Sequence, residues 1–317
     1  MGYKVFIDGG SGTTGLKLEQ VLGRRADVEL LGIAPGKRKD VEARLGKMSE
    51  ADISFLCLPD AESAAIAERV PADARLIDAS THHRIHAGWV YGLPELNGGQ
   101  RARLQTANRV ALPGCHATGF ILLVRPLIDA GLVGADYPFA VHSVTGYSGG
   151  GKGMIAQYAA DRRKDRERDP LRAPRQYAMT QQHKHLPEMT KMAGLSEEPI
   201  FVPHVADYYS GLSMVVPLRR RLLAEGATAG DVRRAIEDRY REEPFIGVAP
   251  ADADPEAGYL SAGAMSGRND AEIFVAGNAE RIILVARYDN LGKGASGAGV
   301  QCMNIMLGIP EERGLLE

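Results

Sequence analysis

Cysteine is scarce in this 317-residue chain: three residues, too few and too scattered to build a framework. Cys57, Cys115 and Cys302 are odd in number and lie far apart, so neither a disulfide scaffold nor a CxxC metal site can be assembled from them. No apolar stretch approaches the roughly 18 residues that span a bilayer. The chain runs directly into a strand pattern, with no charged-then-apolar leader. Charge of one sign is lacking as well: 38 Lys and Arg against 40 Asp and Glu leave a net charge of −2. That balance offers nothing to a nucleic acid or an anionic membrane. These absences leave a reducing, cytoplasmic setting as the expectation. With 44% hydrophobic and 25% charged residues the composition is that of an ordinary globule, and the length suggests two domains.

The stretch around which the rest is organised is Leu112-Pro113-Gly114-Cys115-His116-Ala117-Thr118-Gly119. Phe120, Leu123, Val124, Leu127 and Ile128 follow it at helical spacing, with Gly131 as a stop and Pro126 predicting a kink. Cys115 then falls at or just before a helix N-terminus, where unpaired N–H groups and the macrodipole favour an anion. Such positions lower a thiol from its usual pKa near 8.5, the recipe for a nucleophile. A small buried core residue is the alternative, and this stretch alone leaves both open.

The N-terminal third supplies a cofactor site. Tyr3–Asp8 reads as a strand, Gly10, Gly12 and Gly15 spell GxGxxG, and Leu16, Leu18, Val21 and Leu22 suit a helix. With a second strand over Val28–Ile33, this is the context in which glycines admit a pyrophosphate to a helix N-terminus. Ser11, Thr13 and Thr14 complete the loop. Beyond the second strand an NAD site places an acid, whereas a 2′-phosphate needs a cation. Here the run Lys37-Arg38-Lys39 argues for NADP over NAD, with Arg38 the leading candidate. Against it stand the nearby Asp40 and the solvated loop that such basic runs usually form. Ile53–Pro59 reads as a buried parallel strand with Cys57 in the core, and residues 61–70 as a helix capped by Asp60. Leu76–Ser80 is a further strand, so the pattern is a doubly wound sheet with ligands at its carboxyl ends, near Pro59 and Ser80. His82 and His83 lack a third ligand spaced for a metal.

Later, Phe139–Thr145 alternates as a strand and leads into the glycine-dense Gly146–Gly153, which suits either a phosphate loop or a connector. The charged run from Asp161 to Asp169 reads as a solvated helix face from which an arginine could reach substrate. His185 and Glu188, three apart, fit one face at a helix start, the carboxylate orienting the imidazole as acid/base. His204 competes for that role, and spacing does not choose. Strands over Leu212–Leu218 and Arg281–Arg287 flank an amphipathic helix from Asp231 to Arg241, which indicates an α+β second domain. Asp289–Gly297 is a glycine-rich turn before a terminal helix that could return to the dinucleotide domain.

Taken together, these residues resemble the N-acetyl-gamma-glutamyl-phosphate reductase family in its shorter form, nearly end to end. The resemblance rests on residues 9–15, Tyr91-Gly92-Leu93-Pro94-Glu95-Leu96, Pro113-Gly114-Cys115, residues 183–188 and residues 289–297. It departs from the longer form, which follows the cysteine with Tyr-Pro-Thr rather than His116-Ala117-Thr118. That form also carries an arginine where Ser210 stands. The resemblance implies a Rossmann-like NADP-binding domain over 1–116 and 291–317. A substrate and dimerisation domain of the glyceraldehyde-3-phosphate dehydrogenase-like kind would span 117–290. It also implies a Cys115 thioester, His185 and Glu188 as its acid/base pair, Asn290 in the cofactor set, no metal, and a homodimer or homotetramer. Other acyl-phosphate reductases, such as aspartate-semialdehyde dehydrogenase or the lysine-pathway relative, are the nearest alternatives. A non-catalytic NADP-binding sensor is the alternative of a different class.

Overall fold

The computed structural model describes residues 2–161 and 169–316, and divides them into two compact units. The first comprises residues 1–113 and 295–317, the second residues 114–294. That seam places Cys115 in the second unit, whereas the resemblance implies a boundary after residue 116.

The first unit runs β1 (Tyr3–Asp8), α1 (Thr13–Leu22), β2 (Val28–Leu31), α2 (Val41–Glu50), β3 (Ile53–Leu56) and α3 (Asp60–Ala67). It continues through β4 (Leu76–Asp78), β5 (Val90–Tyr91), α4 (Gln100–Gln105) and β6 (Arg109–Ala111). Among the described residues six strands pair in the order β2-β1-β3-β4-β6-β5, every pair parallel. All four residues of β3 are buried, as a strand covered on both faces requires. Two local expectations change. Asp60 is the first residue of α3 rather than its cap, and its carboxylate accepts the Thr81 N–H at 2.7 Å. Asp40, which had weighed against NADP, caps α2 by accepting the Ala43 N–H at 3.1 Å.

The second unit holds α5 (Cys115–Asp129), β7 (Ala140–Gly146), α6 (Gly151–Asp161), β8 (Arg175–Gln176), α7 (Leu186–Ala193) and β9 (Ile200–Ala206). Then come β10 (Leu212–Arg219), α8 (Ala229–Tyr240), β11 (Ile246–Val248), β12 (Ala271–Gly277) and β13 (Arg281–Tyr288). Among the described residues its sheet has seven strands and is mixed, in the order β11-β12-β13-β10-β7-β9-β8. Leu212, Met214, Val216 and Leu218 of β10 alternate inward, and α5 packs on β10, β13, α7 and α8. Pro126 sits inside α5 and has no N–H for the Leu122 carbonyl. The buried Tyr240 hydroxyl, from α8, donates to that carbonyl at 2.7 Å instead. After β13 a π-turn over Gly292–Ser296 leads to α9 (Gly297–Leu307), which packs on α1 and α4 in the first unit. Arg25 Nη1 donates to Asn304 Oδ1 at 2.7 Å and ties it there. Among the described residues no helix is long and apolar enough to cross a membrane.

Candidate active site

In the first unit the glycine loop is fixed by close backbone approach. A Cβ at Gly9, whose φ is +82°, would lie 2.3 Å from the Cys57 carbonyl oxygen. One at Gly15 would lie 2.7 Å from Gly10 Cα. Gly12 stands at the N-cap of α1 with no side-chain cap, leaving the N–H groups of Thr13 and Thr14 in an open first turn. A cavity of about 920 Å³, within the range of small-molecule sites, is walled by Gly10, Ser11, Leu31, Arg38, Lys39 and Arg44 among others. Lys37, in a short turn of its own, is not among those walls. The glycine loop and the cations Arg38 and Lys39 line one cavity, beside the acids Asp8, Glu19 and Glu62. Loop and cations together fit a dinucleotide carrying an extra phosphate.

Arg44 was not anticipated from sequence. Its Nε donates to Asp8 Oδ2 at 2.8 Å, and Nη2 lies 2.6 Å from the same oxygen in an ion pair. Burial raises the Asp8 carboxyl even against that guanidinium. Pro59 caps α3. Ser80 donates through its hydroxyl and its N–H to Asp78, at 2.5 and 2.9 Å. His83 Nδ1 lies 2.6 Å from the same carboxylate and its ring stacks on Trp89. Burial opposes ionisation of Asp78, yet hydrogen bonds from His83, Ser80 and Ser63 hold its pKa below the ordinary value. No group of three or more His, Cys, Asp or Glu among the described residues could hold a metal.

In the second unit, Cys115 is the first residue of α5. Its N-cap is Gly114, in extended backbone and without a side-chain cap. The Glu188 carboxylate, expected to orient His185, accepts the Gly114 N–H with both oxygens, at 3.3 and 3.1 Å. It thereby holds the residue before the cysteine. His185 is the N-cap of α7, and its backbone N–H donates to His183 Nδ1 at 3.2 Å. The rings of His116, His183 and His185 cluster, with centroids 4.6 Å apart for His183–His185 and 5.6 Å for His116–His185. His116 Nε2 lies 2.8 Å from Tyr177 Oη, and Nδ1 lies 3.0 Å from Ser143 Oγ. Burial, helped by His183, pushes His116 down to about 3, so it stays neutral with one nitrogen donating and the other accepting. Sequence reading missed His116, because its partners come from other elements.

His204, the competitor of His185, lies on β9 with Nδ1 donating to the Ser143 carbonyl at 3.1 Å. Burial pushes the Cys57 thiol up to about 12, so it is inert, and Cys302 is buried with Sγ 3.5 Å from the Gly92 oxygen. The Gly146–Gly153 segment is a short helical turn running into α6, with Tyr147 and Ser148 buried and Gly149, Gly150 and Gly153 exposed. Asn290 Nδ2 donates to Ser148 Oγ at 3.0 Å, and Asn290 Oδ1 accepts the Gly211 N–H at 2.8 Å. An arginine reaching out from the charged run after Asp161 lies outside the described residues.

Residues 4–105 match the semialdehyde dehydrogenase NAD binding domain, and residues 115–290 the semialdehyde dehydrogenase dimerisation domain. The chain belongs to the semialdehyde dehydrogenase family. It is 42% identical to N-acetyl-gamma-glutamyl-phosphate reductase 2 of Nostoc sp. over 98% of this chain and 99% of that one. Identity to the Pseudomonas putida protein of the same name is 41%, over 98% of each chain. A solved structure, that of aspartate semialdehyde dehydrogenase II of Vibrio cholerae, superposes with a TM-score of 0.71. It shares 18% identity over 97% of this chain and 99% of that one. The Candida albicans aspartate semialdehyde dehydrogenase gives 0.66 at 14% identity, over 97% and 99% of the two chains. These two show that the semialdehyde dehydrogenase fold is shared.

Proposed function

We propose that this chain is an NADPH-dependent N-acetyl-gamma-glutamyl-phosphate reductase of arginine biosynthesis. It forms N-acetyl-L-glutamate 5-semialdehyde through a thioester on Cys115. The observation that carries the chemistry is Cys115 as the first residue of a helix whose start has no side-chain cap, within the unit that also holds the histidine cluster. The substrate rests on the names of near full-length relatives.

In this reading the Cys115 thiolate attacks the acyl carbon, and inorganic phosphate leaves with the electrons of the broken C–O bond. NADPH, when bound, supplies the hydride that reduces the thioester carbon. Collapse of the resulting hemithioacetal returns the sulfur and releases the aldehyde. His185 holds and returns the proton at the substrate oxygen, and Glu188 fixes Gly114 ahead of the nucleophile. The loop Gly10, Ser11, Gly12, Thr13, Thr14 and Gly15 would hold the pyrophosphate, with Pro59 and Ser80 at neighbouring strand ends. Arg38, aided by Lys39 and Arg44, would take the 2′-phosphate, with Lys37 contributing from outside the cavity wall. A cytoplasmic homodimer or homotetramer fits a domain described as a dimerisation domain.

The test runs the purified protein backwards, following phosphate-dependent NADP reduction with a panel of semialdehydes. N-acetyl-glutamate semialdehyde should be preferred, and preference for aspartate semialdehyde would move the chain to another acyl-phosphate reductase. Cys115→Ser should abolish turnover while NADPH still binds. Retained activity in that variant removes the thioester.

A further inference from the structure

Among the described residues a tyrosine hydroxyl touches the backbone of helix α5 at two places, and only one of them is a repair. At Leu122 the carbonyl has lost its helical donor to Pro126, so the Tyr240 hydroxyl supplies a missing bond. At the other end, the Tyr288 hydroxyl accepts the Gly119 N–H at 3.0 Å and donates to the Cys115 carbonyl at 2.6 Å. Cys115 and Gly119 are four apart, and their carbonyl and N–H are the pair an α-helix would join directly. Nothing in the chain breaks that pair, yet a hydroxyl bridges it.

The chain also keeps room for the bridge. A Cβ at Gly119 would lie 2.5 Å from Tyr288 Oη and 2.8 Å from Cε1. Glycine inside a helix is disfavoured against alanine, so this position gives up helix propensity to admit the phenol. The turn that follows Tyr288 closes on the same cysteine from its side chain. A Cβ at Gly294 would lie 3.1 Å from Cys115 Cβ and 3.2 Å from the Asp289 oxygen, whose carbonyl accepts the Gly294 N–H at 3.0 Å. Residues 288–294 thus grip Cys115 by its carbonyl and by its Cβ.

We infer that Tyr288 is a positioning residue for the nucleophile, its hydroxyl setting the first turn of α5 so that Cys115 is aimed at the acyl carbon. This rests on the reading of Cys115 as the nucleophile. Tyr288 is fully buried, and burial together with charge on Cys115 raises its phenol well above the ordinary value. The hydroxyl therefore keeps its proton and its donor role at any working pH.

Two variants strike the bridge from opposite sides. Tyr288→Phe removes the oxygen, and Gly119→Ala drives a methyl group into it. For each, kcat, KM and the rate of iodoacetamide modification of Cys115, located by mass spectrometry, are compared with the parent protein. Both variants should lose roughly tenfold or more in kcat and in modification rate, with KM within about twofold, since misaiming a nucleophile costs rate and not binding. Unchanged kcat and modification rate in either folded variant, with only a lower melting temperature, overturns the inference. Failure of the underlying reading looks different: in the unmutated protein Cys115 would then be no more reactive than an ordinary thiol.

Discussion

Helix α8 begins with two of its backbone donors satisfied by side chains. Thr228 accepts the Asp231 N–H at 3.3 Å, and Asp231 Oδ2 accepts the Thr228 N–H in return at 2.9 Å, a complete capping box. Helix α5 begins at a glycine with no side chain to offer. The difference teaches that a helix start can be closed for stability or left open for a ligand, and that openness alone does not decide which. Helix α4 also starts at an uncapped glycine, Gly99, but its first side chain, Gln100, donates to the Tyr91 carbonyl. At α5 the first side chain is a half-buried thiol, and at α1 the open turn lies beside a cavity walled by cations. Those neighbours give the two open starts their proposed anions, one a thiolate and the other a pyrophosphate.

After loss of the nucleophile itself, the largest effect should come from the proton partner of the open start. His185→Asn is expected to lower kcat by about 10²-fold or more, the usual worth of a positioned acid/base. His204→Asn should leave kcat near the parent value, because its Nδ1 already donates to the Ser143 carbonyl. Steady-state rates for the two variants decide it: a loss confined to His204→Asn would hand the role to the strand histidine.

Much of this contrast could be read before any coordinates. The strand, glycine loop and helix at the N-terminus announce themselves through two clear periodicities, and Cys115, His185 and Glu188 stand in local patterns. Strands β5 and β8 escaped notice because two residues carry no alternation. Strand β9 escaped because Pro203 sits within it, and proline argues against a strand read from sequence alone. Contacts between distant elements were out of reach altogether. Gly114 meets Glu188 across 74 positions, His116 meets Tyr177 across 61, and Cys115 meets Tyr288 across 173. No spacing rule spans such separations, since the sheet order that closes them is a property of the whole unit.

A smaller effect tests the other open start. Arg38 lines the cavity and Lys37 does not, although both belong to one basic run. Arg38→Ala should raise KM for NADPH roughly tenfold and leave KM for NADH nearly unchanged, as losing one charge-assisted contact implies. Lys37→Ala should do less. Equal shifts for both cofactors in Arg38→Ala would detach the cation from the 2′-phosphate.

The closed start gives the smallest change and the cleanest control. Thr228→Ala removes one half of the capping box, and the exposed α8 start should lose about 1 kcal/mol. Among the described residues nothing at that end of α8 touches a proposed reacting group, so kcat and KM should both stay within about twofold. Denaturant titration beside a steady-state assay reads the two quantities separately. If Thr228→Ala slowed turnover as much as it weakened the fold, caps would tune activity wherever they occur. The open starts of α1 and α5 would then owe their character to general helix stability, and the contrast with α8 would collapse.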